Sequence, residues 1–249
     1  MRNLNGIYTI WLRDVKRFWR DKPRIVGAVA QPTLFLFILG TGLAPAFSRG
    51  GGGDYIKFLY PGIISMTVLF TSIFSAISII WDREFGFLKE VLVAPISRTA
   101  VGLGKALGGS TVAMMQGTIM LVFAPLVGVP LGFVETLKIM VIMFLISFCF
   151  TSMGLAVAAR MKSMEGFQMV MNFFLLPMFF LSGAMFPIQG LPVWMKTLVR
   201  IDPLSYGVDA LRSITIGVAQ YSMLYDLTVI TVVGAVMITI AVVAFNLQD

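Results

Sequence analysis

The sequence predicts an all-α polytopic membrane protein, and three observations carry that prediction. First, 58% of the 249 residues are hydrophobic and only 12% are charged, with a mean hydropathy of +0.90. A soluble domain carries about 25% charged and 45–50% apolar residues, so too little polar surface remains here to cover a water-soluble globule. Second, the apolar residues fall into six runs, each long enough to cross a hydrocarbon core of about 30 Å. Third, Lys and Arg are plentiful in every other connection, the asymmetry that orients a multi-span protein. Six such runs leave only short connections. The chain therefore reads as one transmembrane domain, 1–249, with residues 1–24 as a cytoplasmic interfacial helix ahead of a six-span unit, 25–249.

The elements follow in order. Tyr8, Trp11, Leu12, Val15, Phe18 and Trp19 recur at helical spacing, with Arg13, Lys16, Arg17 and Arg20 between them. An aromatic face beside a basic face describes a helix lying in the membrane interface, its cations toward anionic lipid. Pro23 bends the chain into the first span, 25–47. Ala44-Pro45-Ala46 resembles a leader cleavage site. The apolar run before it exceeds the roughly 7–15 residues of a leader core, so Pro45 is read as starting an external turn. The glycines at 50–53 make a loop, not a phosphate cradle, because no Gly-Lys-Ser/Thr follows them.

The second span covers 58–81, and the connection 82–105 is the longest on the basic side. There Asp82 or its neighbour is expected to open a short helix with Glu84 in its first turn. Phe85, Leu88 and Leu92 share one face, Pro95 stops the helix and Ser97 caps the next. Such a helix suits docking onto a soluble partner, and a plain interfacial loop fits the pattern equally. The remaining spans are 106–129, 137–159, 167–186 and 227–245. Between the last two, 192–199 and 203–216 each read as a short helix with Pro near its start. Asp202 caps the second, Asp209 and Arg212 form an i,i+3 surface pair, and Trp194 and Tyr206 sit at the interface.

Arg2, Arg13, Lys16, Arg17, Arg20, Lys22, Arg24, Arg83, Lys89, Arg98, Lys105, Arg160 and Lys162 all fall on one side. That places both termini in the cytoplasm, and it makes the net charge of +7 an orientation signal, not a nucleic-acid footprint. With no histidine and one cysteine, the chain lacks His-based acid–base chemistry, Cys–His nucleophiles and intrachain disulfides. Cys149, between Phe148 and Phe150, reads as a packing residue.

Ion-driven carriers place ionisable side chains within their spans, and the six assigned here hold none apart from Lys138, which stands at the outer edge of 137–159. Only Gln31, Gln116, Asn172 and scattered Ser and Thr lie at depth. The nearest approach to a nucleotide motif, Gly102-Leu103-Gly104-Lys105-Ala106, lacks the hydroxyl residue and the glycine spacing. An active pump built on this chain therefore requires an ATPase on another polypeptide.

Arg83-Glu84-Phe85-Gly86, Leu88-Lys89-Glu90-Val91-Leu92 and Ala94-Pro95-Ile96-Ser97-Arg98 resemble the cytoplasmic segment of type-2 ABC transporter permeases, the membrane subunits of bacterial and archaeal ABC exporters. Leu181-Ser182-Gly183-Ala184-Met185-Phe186-Pro187, Leu191-Pro192-Val193-Trp194, Asp202-Pro203-Leu204-Ser205-Tyr206 and Asp209-Ala210-Leu211-Arg212 resemble that family's segment before the last span. Phe87 stands where the family usually has a small residue and Thr.

The resemblance implies an exporter of a drug, lipid, glycolipid or polysaccharide in the inner (plasma) membrane. Two permease copies would pair with two ATPase subunits. No cofactor is implied on this chain, since ATP and Mg would sit on the ATPase. Glu84, Phe85, Gly86, Phe87, Leu88, Lys89, Glu90, Pro95 and Arg98 would form the coupling helix, with Glu84, Lys89, Glu90 and Arg98 as its charged contacts. Pro187, Pro192, Trp194, Asp202, Pro203, Tyr206, Asp209 and Arg212 would shape an outer gate. Met66, Phe70 and Phe74 of the second span and Asn172, Phe173 and Phe174 of the fifth are the candidate substrate path. A stand-alone secondary carrier and a non-transporting membrane anchor are the alternatives.

Overall fold

The computed structural model describes residues 2–49, 54–84 and 96–246, and all regular structure among them is helical. Ten helices follow in order among these residues: α1 (Arg2–Arg20), α2 (Lys22–Arg49), α3 (Tyr55–Ser75), α4 (Ile77–Glu84), α5 (Arg98–Leu121), α6 (Phe133–Ala158), α7 (Met164–Leu181), α8 (Val193–Ile201), α9 (Pro203–Thr215) and α10 (Met223–Asn246). The expected glycine loop at 50–53 lies outside the described residues.

Local chemistry sets several helix starts. Asp54, Ser97, Ser163 and Asp202 each accept a backbone N–H of the first turn, from Ile56, Ala100, Gly166 and Leu204. α3, α5, α6 and α10 pack as the central bundle. α9 fits against α3, α6 and α10, α1 lies along α5, and α2 packs on α3 from outside. Five helices are long and apolar enough to cross a membrane: Ile25–Arg49, Tyr55–Glu84, Phe133–Ala158, Met164–Leu181 and Met223–Phe245.

Several expectations need correction. The third span, 106–129, is displaced, because the helix is Arg98–Leu121 and residues 122–128 form turns ending at Gly128 with φ of 73°. α5 is also absent from the five apolar helices. Protein encloses it instead: Gly104 lies against Ile10, and Gly117 against Val68 and Met143, so the helices approach closely. The fifth span ends at Leu181, five residues early, where Gly183 turns the chain with φ of 74°. Pro45 opens no turn; it stands near the end of α2, where only one ladder bond is lost. Asp82 and Glu84 close α4 instead of opening a helix.

α1 is amphipathic as expected, but its inward face carries Ile10, Val15 and Phe18, while Tyr8 and Trp19 are exposed. Trp11 Nε1 donates to Thr111 Oγ1 at 2.9 Å, fixing α1 to α5.

Lys105, about two turns into α5, is 3% exposed and ion-paired with Asp82 at 2.8 Å and Asp14 at 3.4 Å. Its ammonium also donates to Ser78 Oγ at 3.0 Å. Arg13 closes the cluster, 2.6 Å from Asp82 and 3.6 Å from Asp14. Two cations and two anions thus join α1, α4 and α5 with no net charge. Replacing one member strands its partners in a poorly solvated place. Lys105→Met is expected to destabilise the protein by about 3–5 kcal/mol. The double variant Lys105→Met with Asp82→Asn should recover part of that loss. Thermal unfolding in detergent micelles checks both, and a single variant as stable as the parent would disprove the role given to the cluster.

Candidate functional site

The shoulders of the segment expected to contact an ATPase are described, and its middle is not. Phe85, Gly86, Phe87, Leu88, Lys89, Glu90 and Pro95 lie outside the described residues. Glu84 ends α4 and is exposed. Arg98 begins α5, and its Nη1 donates to Phe245 O at 3.2 Å, a contact within the chain. Asn3 Oδ1 accepts from Ser97 N at 3.2 Å, so α1 reaches this shoulder as well.

At the opposite end, α8 and α9 form within two residues of their expected bounds. α8 buries Val199 and exposes Val193, Trp194, Leu198 and Ile201, an apolar face consistent with a place at the membrane interface. Pro187 and Pro192 are exposed and Pro203 starts α9 at half burial.

The expected Asp209–Arg212 surface pair does not form. Both residues are buried on the inner face of α9, where i,i+3 spacing sets them side by side with separate partners. Asp209 accepts from Gln220 N and Tyr221 N at 2.9–3.0 Å, closing the loop that leads to α10. Arg212 Nη2 donates to Gly183 O at 2.8 Å, and its guanidinium stands 4.1 Å from the Phe58 ring centroid.

Tyr206 is likewise buried and not at the interface. Its hydroxyl donates to Arg200 O at 2.7 Å, and its ring packs with those of Tyr221 and Tyr225. Asp226, which the sequence reading passed over as a span boundary, is fully buried in the first turn of α10.

The candidate substrate path divides. Met66, Phe70 and Phe74 lie along one flank of α3 and line a cavity of about 350 Å³ with Gln31, Pro32, Thr71 and Gln116. Thr71 Oγ1 donates to Gln116 Oε1 across it. Phe74 is shared with an adjoining cavity of about 680 Å³, lined also by Asn172 and Gln168 of α7, Trp81 of α4, Asp14 and Arg17 of α1, and Asp21 between α1 and α2. Arg17 covers the Trp81 ring at 4.5 Å. Phe173 and Phe174 line neither cavity; they are 75% and 54% exposed on α7. Met66, Phe70, Phe74 and Asn172 thus come together along one groove with polar and apolar side chains at both ends.

The family model described as ABC-2 type transporter matches residues 5–216. Nodulation protein J of Rhizobium leguminosarum bv. trifolii is 29% identical over 222 residues, covering 86% of this chain and 82% of the relative. Putative transport permease ycf38 of Cyanophora paradoxa is 28% identical over 192 residues, covering 76% of this chain and 66% of the relative. Nodulation protein J of Rhizobium meliloti (strain 1021) is 31% identical over 195 residues, covering 78% and 74%.

Asp202, between α8 and α9, carries a pH dependence. It is 6% exposed, and burial pushes its carboxyl up to about 7, against the lowering effect of the Leu204 N–H. A carboxyl raised in the folded state contributes stability that is fully present below its ordinary value of 3.8 and is lost as pH rises through about 7. Asp202→Asn keeps a side-chain oxygen for the cap and stays neutral. The variant should therefore unfold at a higher temperature than the parent at pH 8, with the gap shrinking toward pH 4. A parent protein whose melting temperature does not fall relative to the variant over that range contradicts this.

Proposed function

The chain belongs to the ABC-2 type transporter family, and from that premise we propose that it is the permease of an ATP-driven exporter. In this reading two copies work with a separate ATPase and move a hydrophobic or amphipathic molecule outward. The observation that carries the substrate side is the groove along α3, which combines Met66, Phe70 and Phe74 with Gln31, Gln116, Asn172 and Asp14. A mixed lining of this kind suits a molecule with an apolar body and a polar end.

α2 and α7 flank the groove and are the least enclosed of the long helices together with α10. Their exposed Val26, Leu34, Ile38, Met169, Phe173 and Phe180 give a second copy an apolar surface to cover, which would close the groove into a path. The basic connections support cytoplasmic termini in a plasma membrane. Residues 84–98 then face the cytoplasm, where an ATPase docks, and α8 and α9 face outward as the gate.

Affinity purification of the full-length protein from its own membrane tests the reading. A Walker-motif ATPase should co-purify, and charge reversal at Glu84 with Glu90 should strip it away while leaving the permease folded. In inverted vesicles holding the complex, ATP should drive accumulation of the amphipathic dye Hoechst 33342. Phe74→Ala and Asn172→Ala should each slow that accumulation several-fold. Recovery of the permease without any ATPase defeats the proposal, and undiminished dye transport in both groove variants defeats the path.

A further inference from the structure

Two arginines flank 85–95, and they make the same kind of contact. Arg83, next to last in α4, donates from Nη1 to Met161 O at 2.7 Å and from Nη2 to Ala159 O at 3.1 Å, just past the end of α6. Arg98, first in α5, reaches Phe245 O at the end of α10. The last carbonyls of a helix have no partner within it and carry the negative end of its dipole, so a guanidinium fits there. Both arginines are half-buried. Each thereby joins one shoulder of the segment to a helix remote in sequence, and α6 and α10 pack along one another.

Neighbouring contacts stiffen both shoulders. Asp82, beside Arg83, is bound to Arg13 and Lys105. Ser97, beside Arg98, caps α5 and holds Asn3 of α1, and Ile96 packs on Gly6. A displacement of either shoulder therefore carries its own guanidinium group with it.

We propose that Arg83 and Arg98 are positioning residues that harness the two shoulders of 85–95 to the carboxyl-terminal ends of α6 and α10, so that displacement of the segment moves those helices. This rests on the proposed function in taking the segment as the place where an ATPase acts. It also gives Arg98 an internal task in place of the partner contact expected from the sequence. The two residues differ in chemistry. Arg83 uses the planar fork to bridge two carbonyls, which a point-charge ammonium does not reproduce, whereas the contact of Arg98 with Phe245 O uses one nitrogen and is within reach of lysine.

The test uses the permease with its co-purifying ATPase in lipid nanodiscs. Single thiols are placed at the far ends of the two helices, F133C on α6 and L224C on α10, at residues 85% and 78% exposed. The native Cys149 is 1% exposed, and the permease without an added thiol gives its background labelling. Labelling by a fluorescent maleimide is timed with and without ATP plus orthovanadate. In the parent, nucleotide trapping should change the rate at both positions by about fivefold or more, the low end of coupling between linked sites.

Arg83→Gln and Arg98→Gln should abolish that change while ATPase association and hydrolysis persist. Arg98→Lys should restore it, and Arg83→Lys should not. Persistence of the change in both glutamine variants overturns the harness, as does full rescue by Arg83→Lys. Loss of ATPase from either glutamine variant also overturns it, by making the guanidinium a partner contact, and leaves the proposed function standing. A parent permease that brings no ATPase through purification overturns the proposed function itself and the harness with it.

Discussion

The meeting of Arg13, Asp14, Asp82 and Lys105 is the constraint on which the cytoplasmic half of the fold, as proposed, depends. A single buried ammonium or carboxylate costs several kcal/mol, and only a nearby opposite charge with good geometry offsets it. Here Asp82 receives both cations at 2.6 and 2.8 Å, and Ser78 satisfies a further proton of Lys105. That balance lets α5 run deep with a lysine in it. It also makes α1 part of the protein. An amphipathic helix held by lipid alone is free to slide in the interface, whereas α1 is fixed to the bundle by ion pairs and by Trp11.

Which parts of this were legible follows from the range of each interaction. α6 and α10 are apolar on every side, so averaging hydropathy finds them. α8 and α9 are bounded by Pro192, Asp202 and Pro203, whose effects are local. α5 was misplaced because a hydropathy window penalises Lys105 and has no knowledge of Asp14, 91 residues away. Spacing placed Asp209 and Arg212 on one face of α9 without saying which way that face points. The groove shows the same limit. Met66, Phe70 and Phe74 follow helical spacing and arrive together, but Phe173 and Phe174 follow Asn172 directly. Each step along a helix turns the side chain by about 100°, so the immediate neighbours of Asn172 aim elsewhere. Arg17 was read as facing lipid headgroups, whereas it lines the cavity beneath α3 and α7 together with Asp14 and Asp21.

The corrected positions alter one functional argument. Scarcity of charge within spans was the reason to disfavour an ion-driven carrier, yet Asp82 and Asp226 lie inside apolar helices and Lys105 lies inside α5. Asp82 and Lys105 are matched charge for charge within the cluster, the arrangement of a structural tie more than of an ion pathway. Asp226 is buried with neither carboxylate oxygen hydrogen-bonded among the described residues, so the case against a carrier rests on family membership, not on an absence of ionisable groups.

α5 connects the regions that the proposed function requires. It begins at Arg98 on the shoulder of the coupling segment and passes Lys105 in the charge cluster. It then meets α1 at Thr111, and reaches the groove at Gln116. At 1.5 Å per residue, the path from Arg98 to Gln116 is about 27 Å. Its glycines face Ile10, Asp14, Val68 and Met143 at close approach, so the helix has neighbours against which to slide but little room in which to bend. In the proposed coupling, a displacement applied at its first residue would be carried along the rod to Gln116, which holds Thr71 of α3. The features that made α5 hard to recognise as a span, a buried lysine and many small residues, are the ones that suit it to this task.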